Sequence, residues 1–208
     1  MEWFSWNDPA LKYKIIIAAA VILIILIIWF NATIRDELKQ FIAHDDVAAI
    51  CVINPTIECP NVRGTVTFKE NSKKGTIAIQ FELSGLEPGE HGAHVHTYGN
   101  LLPAYGTSAD SCCMNTGPHY NPTGASHGSL DTGHIGDFGN ILADERGVVS
   151  EKMESTTLKI RGAHSIIGRA LVIHKNKDDL GHGNNAESKK NGNSGPRVAC
   201  AVVAYAAR

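Results

Sequence analysis

Neither sign of charge dominates this sequence: 19 lysines and arginines face 21 aspartates and glutamates, for a formal net charge of -2. A general nucleic-acid binder would carry a strong basic excess, so no nucleic-acid partner is expected. Beyond the first 46 residues helical periodicity is almost absent, which leaves an all-β architecture. The five cysteines are an odd number, so they cannot all pair within one monomer.

From Ile15 to Phe30, in IIIAAAVILIILIIWF, there is no polar or charged side chain. At about 1.5 Å per residue this run gives roughly 24 Å of helix, slightly short of a hydrocarbon core of about 30 Å. Lys12 and Lys14 can snorkel from one end and Trp29 suits the interface at the other. A small-x-small cleavage site is missing directly after Phe30. Residues 15–30 are therefore read as a single transmembrane anchor behind a short tail (1–14), with a cleaved, secreted form as the alternative. Lys12, Lys14 and the terminal amine precede the span, while Arg35 and Lys39 follow it. That bias places the main domain on the non-cytoplasmic side. Asn31-Ala32-Thr33 fits a glycosylation sequon, but it would lie against the bilayer and is expected to stay unmodified.

After a polar linker (31–46) the pattern turns to period two. AAICVIN (48–54), VRGTVTFK (62–69), GTIAIQFELSG (75–85) and HGAHVHTYG (91–99) are short, β-branched and bounded by turn residues. Strands resume at DFGNILA (137–143), VVSEKMES (148–155), GRALVIHK (168–175) and RVACAVVAYA (197–206). Eight such strands predict an antiparallel Greek-key barrel or sandwich over residues 47–208. Two long glycine-rich loops (99–133 and 178–196) interrupt it, and a compact domain rarely keeps long loops without a functional reason.

The histidines concentrate in and beside those loops. His94 and His96 lie two apart on a strand, so both imidazoles project from one face and can reach one ion. The first loop adds His119, His127, His134 and Asp137, and the seventh strand ends in His174. Nitrogen donors with one carboxylate suit zinc or copper, whereas calcium or magnesium would need mostly oxygen. Scattered surface histidines would explain one or two of these residues, but not their recurrence beside glycines, as in GPH and HIGD.

HGAHVHTYG, GPHYNP (117–122), GHIGDFGN (133–140), IIGRALVIH (166–174) and GPRVACAVV (195–203) together resemble the copper–zinc superoxide dismutases. The likeness covers about residues 47–208. It implies disproportionation of superoxide into dioxygen and hydrogen peroxide, with one copper and one zinc per subunit. Copper would be held by His94, His96, His119 and His174; zinc by His119, His127, His134 and Asp137. His119 would thus be shared by both metals and catalytic. Asp178 would link His94 to His127 from behind, and His91 would have a structural hydrogen-bonding role. Arg197 would guide the anion, with Lys189 and Lys190 adding positive potential. This family is itself a standing example both of the sandwich architecture and of electrostatic steering.

The resemblance also implies a disulfide between Cys113 and Cys200. Cys112, next in sequence, could compete; Cys51 would be a buried thiol, and Cys59 is open to Cys112 or to another chain. His44, His164 and His182 match no ligand and read as solvated. The chain departs from the family pattern in three places. The interval between His96 and His119 is longer through LLPAYGTSADSC, which puts a homodimer in question. The interval from His127 to His134 is slightly shorter, and Ala186 stands at one of two usual acidic positions beside Glu187. A copper chaperone is a further partner that the resemblance raises. The rival reading is a membrane-tethered copper- or zinc-binding module without turnover; a β-sandwich adhesion domain would leave the histidines unexplained.

Overall fold

A computed structural model describes residues 9–43, 47–102 and 112–207, so His44 and most of the insertion before Cys112 lie outside the described residues. The chain divides into two compact units, Met1–Asp45 and Asp46–Arg208. The first contains helix α1 (Pro9–Ala43). Pro9 suits a helix start because its missing N–H would have no intrahelical partner there. Within α1, Lys12–Glu37 is long and apolar enough to cross a membrane, and it is not buried in the protein. Residues 31–43, read from their polarity as a linker, are helical. Arg35, Glu37, Leu38, Lys39 and Gln40 are good helix formers, and no proline or glycine interrupts them.

The second unit is a two-sheet Greek-key sandwich. Its strands are β1 (Ala48–Ile53), β2 (Arg63–Asn71), β3 (Thr76–Ser84), β4 (Gly89–His96), β5 (Asp137–Ala143), β6 (Val148–Ser155), β7 (Ala170–His174), β8 (Arg197–Val202) and β9 (Ala204–Tyr205). One sheet has the order β6-β3-β2-β1-β9, the other β5-β4-β7-β8. The chain leaves the first sheet after β3, makes β4 and β5 in the second, then returns as β6 beside β3. Among the described residues nine strands are found rather than eight, because the last expected strand divides at Val203. That residue is fully buried, and its backbone bonds to Arg169 and Gly168, so β8 stays in one sheet while β9 pairs with β1 in the other. The second long loop also carries a short helix, α2 (Ala186–Asn191), capped by the Asn185 side chain accepting from Ser188 N at 2.7 Å.

Alternation makes the core. In β3, Ile77, Ile79, Phe81 and Leu83 point inward between exposed or half-buried neighbours. Phe138 from the opposite sheet meets Phe68 and Phe81, with ring centroids 6.1 Å apart in each case. β4 is different, since six consecutive residues from His91 to His96 are buried. Ala93 and Val95 face the core, so a second buried layer covers the other face. Register shifts occur between Ala93 and His94 and between Ile173 and His174. Such bulges re-aim side chains, and here both occur at histidines.

Candidate metal centre

His94 and His96 stand on the face of β4 turned away from the sandwich interior. The first loop is laid over them by backbone pairing: His119 bridges to His96, Tyr120 N donates to Val95 O at 2.7 Å, and Gly136 O accepts from Val95 N at 2.7 Å. β5 begins at Asp137, whose pairing partner on β4 is His94. β7 ends at His174, which pairs with Arg197 of β8. Every anticipated ligand is therefore buried in one place.

Two clusters result. Donor atoms of His94, His96, His119 and His174 lie within 4.8 Å of one another, and so do those of His119, His127, His134 and Asp137. His119 is common to both. Its ring stacks on His94 with centroids 3.9 Å apart, and its Nδ1 lies 2.9 Å from Asp137 Oδ1.

The remaining ring nitrogens are held from behind. His94 Nε2 and His127 Nε2 each lie 2.8 Å from one oxygen of Asp178, a carboxylate with no exposed surface. His96 Nδ1 donates to Gly117 O at 2.7 Å, and His174 Nδ1 to Gly195 O at 3.0 Å. These partners set the tautomers, which follow from the acceptors present. The nitrogens left over are then lone pairs aimed at shared space. His96 Nε2 and His174 Nε2 are 3.2 Å apart. His94 Nδ1, His119 Nε2 and His127 Nδ1 are buried without a hydrogen-bond partner. His127 Nδ1 is 2.8 Å from Asp137 Oδ2 without the alignment of a hydrogen bond. Buried polar atoms are normally satisfied; converging lone pairs fit two cations.

Charge distribution agrees for the first cluster; in the second, burial would lower His127, but the flanking carboxylates of Asp137 and Asp178 raise it to about 9. Burial, reinforced by His119, pushes the His94 and His96 imidazoles well below their usual range. Burial also lowers His119, against the opposing pull of Asp137, and lowers His174 to about 4. Neutral imidazoles are the ligating form. Asp137 stays ionised: burial would raise it, but the imidazoles of His119, His127 and His134 against its oxygens outweigh that effect.

The family description "Copper/zinc superoxide dismutase (SODC)" matches residues 62–203. The chain belongs to the copper/zinc superoxide dismutase family. A superoxide dismutase [Cu-Zn] of Paramecium bursaria Chlorella virus 1 is 41% identical over 189 residues, covering 89% of this chain and 93% of the relative. One from Cordyceps militaris is 39% identical, covering 77% of this chain and 99% of its own length. Among solved structures, the crystal structure of the clock protein EA4 superposes with a TM-score of 0.68 at 35% identity, covering 77% of this chain and 96% of that one. Copper and zinc are the cofactors of this family, and the two donor clusters fit them.

The other residues singled out from the sequence lie around the clusters as follows. Arg197 donates through Nη1 to Cys113 O at 2.6 Å and Thr116 Oγ1 at 3.1 Å, and through Nη2 to Gly117 O at 2.7 Å. One carbonyl, that of Gly117, thus ties Arg197 to His96. His91 is buried between two carbonyls, with Nδ1 2.9 Å from His174 O and Nε2 2.8 Å from Glu87 O. Lys189 and Lys190 are both exposed, and Lys189 Nζ donates to the Gly181 carbonyl. His164 and His182 are exposed as well. The disulfides are Cys113–Cys200 and Cys59–Cys112, and Cys51 is a buried free thiol whose pKa burial pushes up.

Sequence reasoning missed several supporting groups. Asn140 clamps Asp178 at both ends of its backbone: its Nδ2 donates to Asp178 O at 2.9 Å and its Oδ1 accepts from Asp178 N at 2.7 Å. Gly192, at φ 66°, packs so closely that a Cβ there would lie 1.7 Å from Asp178 Oδ1 and 2.5 Å from His127 Nε2. GHIGDFGN contains Asn140, but nothing in its spacing points to Asp178.

Proposed function

We propose that the protein is a superoxide dismutase in which His94, His96, His119 and His174 hold copper, and His119, His127, His134 and Asp137 hold zinc. The observation carrying this assignment is that His119 belongs to both buried clusters, with one ring nitrogen toward each. Bound copper supplies one-electron redox chemistry, which zinc lacks. Overall, two superoxide ions and two protons give dioxygen and hydrogen peroxide.

The side chains have separable tasks. His119 Nε2, buried and without a partner, is the atom at which a proton can be held and passed to the reduced oxygen species. Burial lowers its affinity for that proton, which favours delivery. Asp137, on Nδ1, keeps the ring from rotating. Arg197 supplies a fixed cation beside His174, while its fork is held by the 113–117 segment. Asp178 holds His94 and His127 in matched orientations.

The apolar part of α1 (residues 15–30) supports membrane anchoring, with the main domain on the non-cytoplasmic face. Superoxide decay should be measured on the full chain loaded with both metals, alongside metal analysis. Turnover with one copper and one zinc per chain is expected. Stoichiometric binding without accelerated decay would overturn the reading in favour of a metal-storage module.

A further inference from the structure

Four cysteine sulfurs meet at the base of the first loop, although the site above needs only one crosslink. Cys113 Sγ, bonded to Cys200, lies 3.7 Å from Cys59 Sγ and 3.4 Å from Cys112 Sγ, which are bonded to each other. Cys59, Cys112 and Cys113 are all buried. Cys200 is half-buried, and the two disulfides border different spaces. Cys59 and Cys112 border a cavity of about 490 Å³, whose rim includes Glu58, Lys175 and Arg197. Cys113 and Cys200 border a space of about 40 Å³ that Cys59 also lines. The larger cavity can take a tripeptide-sized molecule, the smaller only a water or two.

We propose that Cys59–Cys112 is a thiol–disulfide exchange site that oxidises the Cys113/Cys200 pair from within, using a low-molecular-weight disulfide taken up in the adjoining cavity. The Cys113 thiolate attacks Cys59 Sγ; the Cys113–Cys59 bond forms, the Cys59–Cys112 bond breaks, and Cys112 leaves as a thiolate. Attack on Cys112 itself is disfavoured by geometry. Adjacent Cα atoms across a trans peptide are about 3.8 Å apart, below the roughly 4.4–6.8 Å that disulfides span. The Cys200 thiolate then attacks Cys113 Sγ, forming Cys113–Cys200 and releasing Cys59 as a thiolate. Two electrons have passed from the Cys113/Cys200 pair to the Cys59/Cys112 pair. In the cavity the Cys59/Cys112 dithiol attacks the external disulfide, is re-oxidised through a mixed disulfide, and releases two small thiols. Cys59, bordering both spaces, is the transfer point.

The test uses the full chain, reduced with excess small thiol, freed of reductant without oxygen, then treated with oxidised glutathione. Samples are acid-quenched, alkylated and mapped as non-reduced peptides. Cys59–Cys112 should form first and Cys113–Cys200 after it. In Cys200→Ser the Cys59–Cys113 bond should accumulate with Cys112 alkylated. In the double variant Cys59→Ser/Cys112→Ser, formation of Cys113–Cys200 should slow at least tenfold. An unchanged rate in a folded double variant refutes the exchange. If that variant does not fold, Cys200→Ser decides alone: Cys113 left free beside an intact Cys59–Cys112 refutes it as well.

Discussion

Asp178 shows how much one side chain can control at this centre. Its two oxygens accept from His94 and His127, one residue from each donor cluster. In Asp178→Asn one oxygen becomes an amide nitrogen that meets an imidazole N–H, so one ring loses its orienting acceptor. Partners of this kind are worth about 10–100-fold in metal affinity. Competition titration with a chelator should therefore show copper, zinc or both weakened at least tenfold; affinities within twofold of the parent would remove Asp178 from the site. Arg197→Lys tests a different property. The charge is kept, but the fork that reaches Cys113, Thr116 and Gly117 is lost. Turnover should fall while its salt dependence and the metal content stay close to the parent's, because the charge that steers the anion is retained; an unchanged turnover would show that the fork is dispensable.

The same residues show what could be read in advance. His94 and His96 were legible because strand alternation puts positions two apart on one face, and Asp137 because it follows His134 closely. Asp178 and Arg197 were reached only through the resemblance, since neither has a periodic or spacing signature of its own. The carbonyls of Gly117 and Gly195 were invisible: any residue carries a carbonyl, so no side chain announces the acceptor. The Cys59–Cys112 pairing depends on spatial proximity across 53 residues, which spacing does not encode.

At the scale of elements, the design problem is to hold a long glycine-rich loop against β4. Cys113–Cys200 fixes its first half, a crosslink typically worth 2–4 kcal/mol. Asp131 fixes its second half to the end of β6, accepting from Ser155 Oγ at 2.6 Å and from Thr156 N and Thr157 Oγ1 at 2.8 Å. Burial would raise the Asp131 carboxyl, but these donors win and hold it below its usual 3.8. A depressed folded pKa means that the stabilisation is complete above the unfolded value and fades as pH falls below it. Asp131→Asn tolerates the local φ of 66° but loses charged acceptors, each worth about 1.5–3 kcal/mol. At pH 7 the variant should be less stable by about that amount in denaturant titrations, and the gap should narrow below about pH 4. A gap independent of pH would mean that the charge is irrelevant.

Over the whole molecule, an apolar N-terminal helix sets this chain apart from a bare sandwich. Asp46–Arg208 has its own core and its own site, so nothing in the chemistry requires α1. Yet α1 presents a row of exposed isoleucines, leucines and valines from Ile15 to Phe30. Isolated helices in water are marginal, and leaving so much apolar surface wet is costly. A hydrocarbon phase removes that cost and satisfies the backbone within the helix. The full chain expressed in cells should therefore remain in the membrane pellet through high salt and alkaline carbonate and leave it only with detergent. A chain beginning at residue 46 should be recovered in the soluble fraction with the same metal content and turnover. Release of the full chain by carbonate would refute the span, and loss of turnover in the shortened chain would show that the helix serves the domain as well as its address.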